Sequence, residues 1–274
     1  MTVPPPQGPV PPQSVPQGPV PPQSVQQGPV PPQPVQQGPV APYPGAPLPP
    51  LASPHGAAWL RSPVALGKAT AALLGLVIAA DLFALWADNT MFAVSGALAD
   101  GELGDDVQRR AAHADSLYAA AGYAQMATLV AAVVVYLIWF LRVRVNAEVF
   151  NPFGHTKSRT WAGWGWFVPV VNLWFPRRIM LDIWDASGPA GARSGHGLVN
   201  AWWTFWIIGL VADRAGFTAY RKAETAQEIQ DAVGQVIFAD LFDIVAAGVA
   251  ILVVLRLTRM QDRKAHEGPG AHGV

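Results

Sequence analysis

Three aspartates lie inside long apolar runs: Asp81, Asp240 and Asp243. A carboxyl at membrane depth is costly, and it is a candidate for handling a proton or a cation. Asp240 and Asp243 are three apart and share a helix face. Gln125 occupies another apolar run, and Asp213 and Arg214 close a third. Asp81, Gln125, Asp240, Asp243 and Arg214 together make a candidate intramembrane polar cluster. One reading is an outward-facing proton or cation site in a water-filled crevice. The plainer reading makes Arg214 the counter-ion, or leaves the carboxylates wet at a thinned outer leaflet. The plainer reading is favoured, because buried charges are usually paired.

Other chemistry has little to work with. There is no H-E-x-x-H, G-x-S-x-G or Walker loop. The six histidines are scattered without metal-ligand spacing, and there is no cysteine for a thiol nucleophile or a zinc site. The apolar runs hold few hydroxyls (Thr70, Thr128 and Thr204), none beside a histidine. The expectation is a non-enzymatic protein with no cofactor and no metal.

The elements that must position the cluster are membrane helices. Four runs are expected to span, at about 66–87, 117–141, 197–213 and 233–257, since roughly 20 apolar residues cross a bilayer core. The third is short and spans if it tilts little or the bilayer thins. Asp81 precedes Asp88 by seven residues, so it should lie roughly 10 Å below the outer end of its helix at 1.5 Å per residue. The segment from Asp88 to Asp115 is expected as an acidic outer loop. Only 13% of residues are charged, and eighteen basic side chains balance eighteen acidic ones. That neutrality argues against nucleic acid as a partner. Thirteen of the basic residues fall in three regions that an even number of crossings places inside, and five fall outside. The expected location is the cell membrane, multi-pass, with both termini cytoplasmic. The first apolar run would serve as an uncleaved anchor.

Residues 1–58 form a tail rich in Pro, Gln, Gly and Val, with ten-residue repeats such as "QGPVPPQSVP". It has too little to bury to offset the entropy of ordering, so a disordered tail is expected. Its PxxP pattern makes a protein partner of the tail conceivable, with a solvated spacer as the commoner outcome. The membrane domain is expected over 59–265, with a flexible tail at 266–274. The lipid bilayer is the expected partner, with anionic headgroups at the basic cytoplasmic face. Oligomeric state is open, although a channel of four spans would need several copies.

Between the second and third runs, "WFVPVVNLWFPRR" is apolar but interrupted by Pro169 and Pro176. Proline removes a helix hydrogen bond, and a crossing here would invert the charge pattern. The segment 160–187 is therefore expected as a re-entrant or interfacial elbow on the cytoplasmic side. Pro176 then opens a short amphipathic helix, "PRRIMLDIWDAS", with Ile179, Met180, Ile183 and Trp184 at helical spacing and Arg178 four residues before Asp182. Gly188-Pro189 should end it. Eight of the eleven tryptophans fall between Trp161 and Trp206, and belt or packing roles are favoured over a binding cage.

The order Gly165, Trp166, Pro169, Asn172, Leu173, Trp174, Pro176, Asp182, Ile183 and Trp184, set between hydrophobic spans behind a proline-rich tail, resembles the bacterial membrane family called domain of unknown function 4328. The resemblance covers roughly residues 60–260. It implies an integral membrane protein, of a kind common in actinobacteria, and brings no activity or catalytic residue with it. The fold expected is all-α and integral to the membrane: four transmembrane helices, the elbow with its short amphipathic helix, and the disordered N-terminal tail. The function expected is membrane interaction or scaffolding, with a small oligomeric channel or transporter using the intramembrane carboxylates as the alternative.

Overall fold

Stretches rich in Ala, Leu and Val satisfy their backbone in an apolar solvent by winding into helix. A computed structural model describes residues 51–53, 56–189 and 195–267. The expected tail over 1–58 lies almost wholly outside these residues, as does the C-terminal tail beyond Glu267. Four long helices dominate: α1 (Val64–Ala99), α2 (Asp105–Phe150), α5 (Gly197–Lys222) and α6 (Ala226–Glu267). Two short ones, α3 (Thr160–Trp164) and α4 (Phe175–Ser187), lie between α2 and α5. A small antiparallel ribbon, β1 (Leu51–Ser53) with β2 (Gly56–Ala58), precedes α1, pairing Leu51 with Ala58.

Three helices, α1, α2 and α6, are long and apolar enough to cross a membrane, which marks a multi-pass membrane protein. Leu82, Met126, Val134 and Leu252 each leave half or more of their surface open. Helices apolar on all sides suit lipid as solvent. α5 is not one of these three. Its 26 residues include Asn200, Asp213, Arg214 and Thr218.

The long helices pack in the order α2, α1, α6, α5, each against its neighbours in the row. Neighbours run antiparallel. Gly67 of α1 sits beside Thr258 of α6, while Gly96, at the other end of α1, meets Gln230. Gly209 and Gly216 of α5 face Asp243 and Val236 of α6 in the same sense. At Gly67 the helices come so close that a Cβ would lie 2.4 Å from the Thr258 hydroxyl oxygen, so any larger residue must displace that side chain.

The expected outer loop from Asp88 to Asp115 is mostly helix. α1 continues to Ala99, α2 begins at Asp105, and only residues 100–104 turn the chain. Asn89, Thr90 and Ser95 do not break α1, because each returns a side-chain donor to the carbonyl four residues earlier (Leu85, Trp86 and Met91, at 2.7–3.0 Å). At the same end Thr225 and Glu228 cap α6 reciprocally. The Thr225 hydroxyl accepts from the Glu228 N–H at 3.2 Å, and Glu228 accepts from the Thr225 N–H at 3.1 Å. The backbone N–H groups of Glu224 and Thr225, both donating to it, hold the Glu228 carboxyl below its usual range.

The main core sits at the end of the row where α1 starts and α6 stops. Trp139, Phe140, Val143 and Ala147 of α2 pack on Ile179, Met180, Ile183 and Trp184 of α4, with Val199 and Leu257 closing the sides. α4 begins with Pro176 in its first turn and ends at Gly188, where its proline and glycine signals place it. It does not lie on a surface, however. Nine of its thirteen residues are buried, including Asp182, so it plugs the basic end of the row. Asp182 is satisfied there by the backbone N–H and hydroxyl of Thr156, at 2.8 and 2.7 Å, and by Arg178 at 3.5 Å.

Candidate functional site

Asp81 projects from the middle of α1, Gln125 from α2 and Asp240 from α6, and the packing of these helices brings the three together. The Gln125 amide nitrogen donates to both carboxyls, at 3.2 Å to Asp81 Oδ1 and 3.0 Å to Asp240 Oδ1. Both aspartates are 4% exposed. Asp88, two turns beyond Asp81 on α1, is as deeply buried and lies in side-chain contact with Asp240. The second oxygens of Asp81, Asp88 and Asp240 have no hydrogen-bond donor among the described residues.

Asp243 takes a different direction. Three residues on a helix turn about 300°, so it points roughly 60° away from Asp240. It meets Asp213 of α5 and fills the space that Gly209 leaves: a Cβ there would sit 2.3 Å from Asp243 Oδ1. Gln125 joins Asp81 and Asp240, while Asp243, about one turn along α6, faces Asp213; sequence reasoning had grouped these four in one layer. It missed Asp88 and Asp213, which it placed at helix ends. Their signal was continued helical spacing: Asp81 and Asp88 are seven apart, two turns, on one face. Arg214 does not join. It is exposed, and none of the ion pairs among the described residues joins it or any other basic side chain to these five aspartates. Arg214 leaves the layer because it follows Asp213 directly, and consecutive residues diverge by about 100°.

Aromatic contacts bracket the layer. Toward the acidic end Tyr118 of α2 stacks on Tyr220 of α5, with ring centroids 5.1 Å apart. Toward the basic end Trp166, from the turn after α3, is wedged between the same two helices. It meets Tyr136 edge-on at 5.4 Å and Trp206 at 6.0 Å. Tyr118 and Tyr136 lie about 10 and 16 Å from Gln125 along α2, at 1.5 Å per residue. The helices α2 and α5, which are not neighbours in the row, are thus tied on either side of the carboxyl layer. Trp166, Trp202, Trp203 and Trp206 pack on one another here, while Trp164 and Trp174 are exposed.

The elbow separates into two parts. Gly165 and Trp166 face inward, and a Cβ on Gly165 would meet the Trp161 carbonyl at 2.5 Å. Pro169, Val170 and Trp174 face outward, as do Trp164 and Phe167, while Asn172 and Leu173 are half-buried in a short 3₁₀ turn. Pro176, Asp182, Ile183 and Trp184 are inside, on α4.

A second polar centre was not anticipated. Arg144 and Glu148, both almost fully buried near the end of α2, pair at 2.6 Å, and Arg159 joins Glu148. Beside them Asn146 bridges the Arg61 backbone and Gln261, and Gln261 donates to the Val143 carbonyl and to Ser187. His155 lies against Arg144. Burial first, and that guanidinium next, hold its imidazole below the ordinary histidine range, so it is neutral near pH 7. Arg144, Glu148, Arg159, Asn146 and Gln261 satisfy one another or nearby backbone, which reads as structure. The signal was the four-residue spacing of Arg144 and Glu148 directly after an apolar run.

Residues 104–259, more than half of the chain, match the model of the family described as Domain of unknown function (DUF4328). The match takes in Gln125, Asp240, Asp243 and the whole elbow, and begins after α1. No curated protein matches the chain, and no solved structure does.

Proposed function

The chain belongs to the DUF4328 family, and we propose that it is a four-span membrane protein that carries protons through the layer of Asp81, Gln125 and Asp240. In this reading α5 is the fourth crossing, antiparallel to α6 over its whole length. Both termini then lie on the cytoplasmic side of the cell membrane, where thirteen of the eighteen basic residues also fall. The elbow lies at that interface, with Trp164, Phe167, Val170 and Trp174 toward lipid.

The observation that carries the proposal is one amide donating to two buried carboxyls, with no basic side chain paired to either among the described residues. Ionised carboxylates cannot stay together in a low dielectric without a compensating charge. A proton held between oxygens supplies it. Asp88 extends the layer on α1, and the pair Asp213–Asp243 extends it toward α5, so five carboxyls offer successive positions for a proton. Gln125 orients two of them and does not itself ionise. The reading contains no covalent step and is not that of an enzyme. The alternative is an interaction or scaffold protein working through its tail, which lies outside the described residues, and its basic face.

Purified full-length chain in liposomes, with a pH-sensitive dye inside and a potassium diffusion potential imposed, should acidify the lumen. Asp81→Asn or Asp240→Asn should slow that flux by at least about tenfold, equivalent to ~1.4 kcal/mol on the rate-limiting step. Wild-type flux equal to that of empty liposomes, or both variants conducting like wild type, would remove the proposal.

A further inference from the structure

At the basic end a groove of about 270 Å³ opens between the segment leading into α1 and the last turns of α2. Its floor and walls include Arg61, Arg142, Ile138, Leu141 and Trp59. Asn146 and Arg159 of the neighbouring ion network also line it, and two further features distinguish it. The Arg61 guanidinium lies over the Trp59 ring, 5.4 Å from the centroid, and pairs with no carboxylate among the described residues. Among the described residues the Arg142 side chain donates to the Ser62 carbonyl, at 3.2 Å, and to no carboxylate. Two guanidinium groups therefore face one groove with most of their donors unused. By contrast Arg144, two residues further along α2 and buried, is engaged by Glu148 and the Lys157 carbonyl.

The second feature is what lies next to the charges. Ile138 precedes Arg142 by one helical turn, about 6 Å along α2 toward the apolar part of the helix. Ile138 and Leu141 are exposed there, and Trp59 stands at the rim. A planar guanidinium fork matches a phosphate, tryptophan favours the headgroup level, and the apolar surface one turn away suits acyl chains.

We propose that this groove binds the phosphate headgroup of an anionic phospholipid, with its acyl chains along Ile138 and Leu141. The assignment stands on the groove alone and does not depend on proton movement through the carboxyl layer.

The test is native mass spectrometry of the delipidated full chain in detergent, titrated with phosphatidylglycerol, phosphatidylcholine or inorganic phosphate. One phosphatidylglycerol should be retained in preference to phosphatidylcholine. Arg61→Gln with Arg142→Gln should weaken retention at least tenfold, and Arg109→Gln with Arg110→Gln, at the opposite end, should not. Arg61→Gln alone should also weaken it, and among the described residues that side chain makes no hydrogen bond whose loss could unfold the protein. Equal retention of phosphatidylcholine, unchanged retention in the double variant, or inorganic phosphate competing at the same concentration as the lipid would each overturn the assignment.

Discussion

Val170 carries a backbone that its side chain resists. Its φ of 67° and ψ of −50° form a γ-turn closed by the Val171 N–H donating to the Pro169 carbonyl at 2.8 Å. A β-branched residue is disfavoured there, and such positions cost of order 1–3 kcal/mol. Val170 is also mostly exposed, so it gains little packing in return. Val170→Gly should therefore raise stability by about 1 kcal/mol once the extra chain entropy of glycine is set against the relieved strain. Thermal unfolding in detergent would show it as a higher midpoint, and a midpoint unchanged or lower would refute the strain. Nothing in the local sequence announces that turn beyond its proline. The carboxyl layer was easier to read, because Asp81, Gln125 and Asp240 break apolar runs and antiparallel helices bring equal depths together. What could not be read was rotation about each helix axis. It sends Asp243 to Asp213, leaves Arg214 outside, and turns Asp88 inward onto Asp240.

Among the elements, α4 was the most legible. Pro176 starts it, Gly188 stops it, and Ile179, Met180, Ile183 and Trp184 mark the face that packs. Its burial on the remaining faces was not legible, because that depends on α2, α5 and α6 closing around it. The reach of α1 past Asp88 was missed for a different reason. Asn89, Thr90 and Ser95 look like loop residues until their side chains are seen bonded back into the helix. The α1–α6 contact offers a sharper test of how these elements fit. Thr258 faces Gly67, and its hydroxyl is held in place by the Trp139 indole N–H at 3.0 Å. Gly67→Ala must displace a β-branched side chain that already has a partner, and should cost about 1–3 kcal/mol. Gly75 has open space where a Cβ would go, so Gly75→Ala should be neutral or slightly stabilising. Adding Thr258→Ala to Gly67→Ala should recover part of the loss. If the two glycine variants melt alike, close approach at Gly67 does not hold α1 to α6.

For the whole molecule the decisive quantity is the number of crossings, since it sets which face of the membrane the elbow and the basic groove occupy. The helix row makes a definite statement if all four long helices cross. Ser158 and Ala265 then share one side, while Leu103 and Glu224 share the other. All four residues are exposed, and the chain contains no cysteine, so single-cysteine variants at these positions would be labelled without background. A membrane-impermeant maleimide added to intact cells should react with Leu103→Cys and Glu224→Cys. It should reach Ser158→Cys and Ala265→Cys only after the membrane is opened. The informative variant is Glu224→Cys, because it follows α5, the helix that falls short in apolar character. If α5 stays on the inner side, Glu224→Cys is protected and Ala265→Cys reacts from outside, since α6 would then cross in the opposite sense. That outcome would place the basic C-terminal residues outside against the charge bias. It would also separate Asp213 from the depth of Asp243, which the α5–α6 contact at Gly209 requires to be shared. Labelling of Leu103 and Glu224 together therefore tests the topology and the five-carboxyl layer at once.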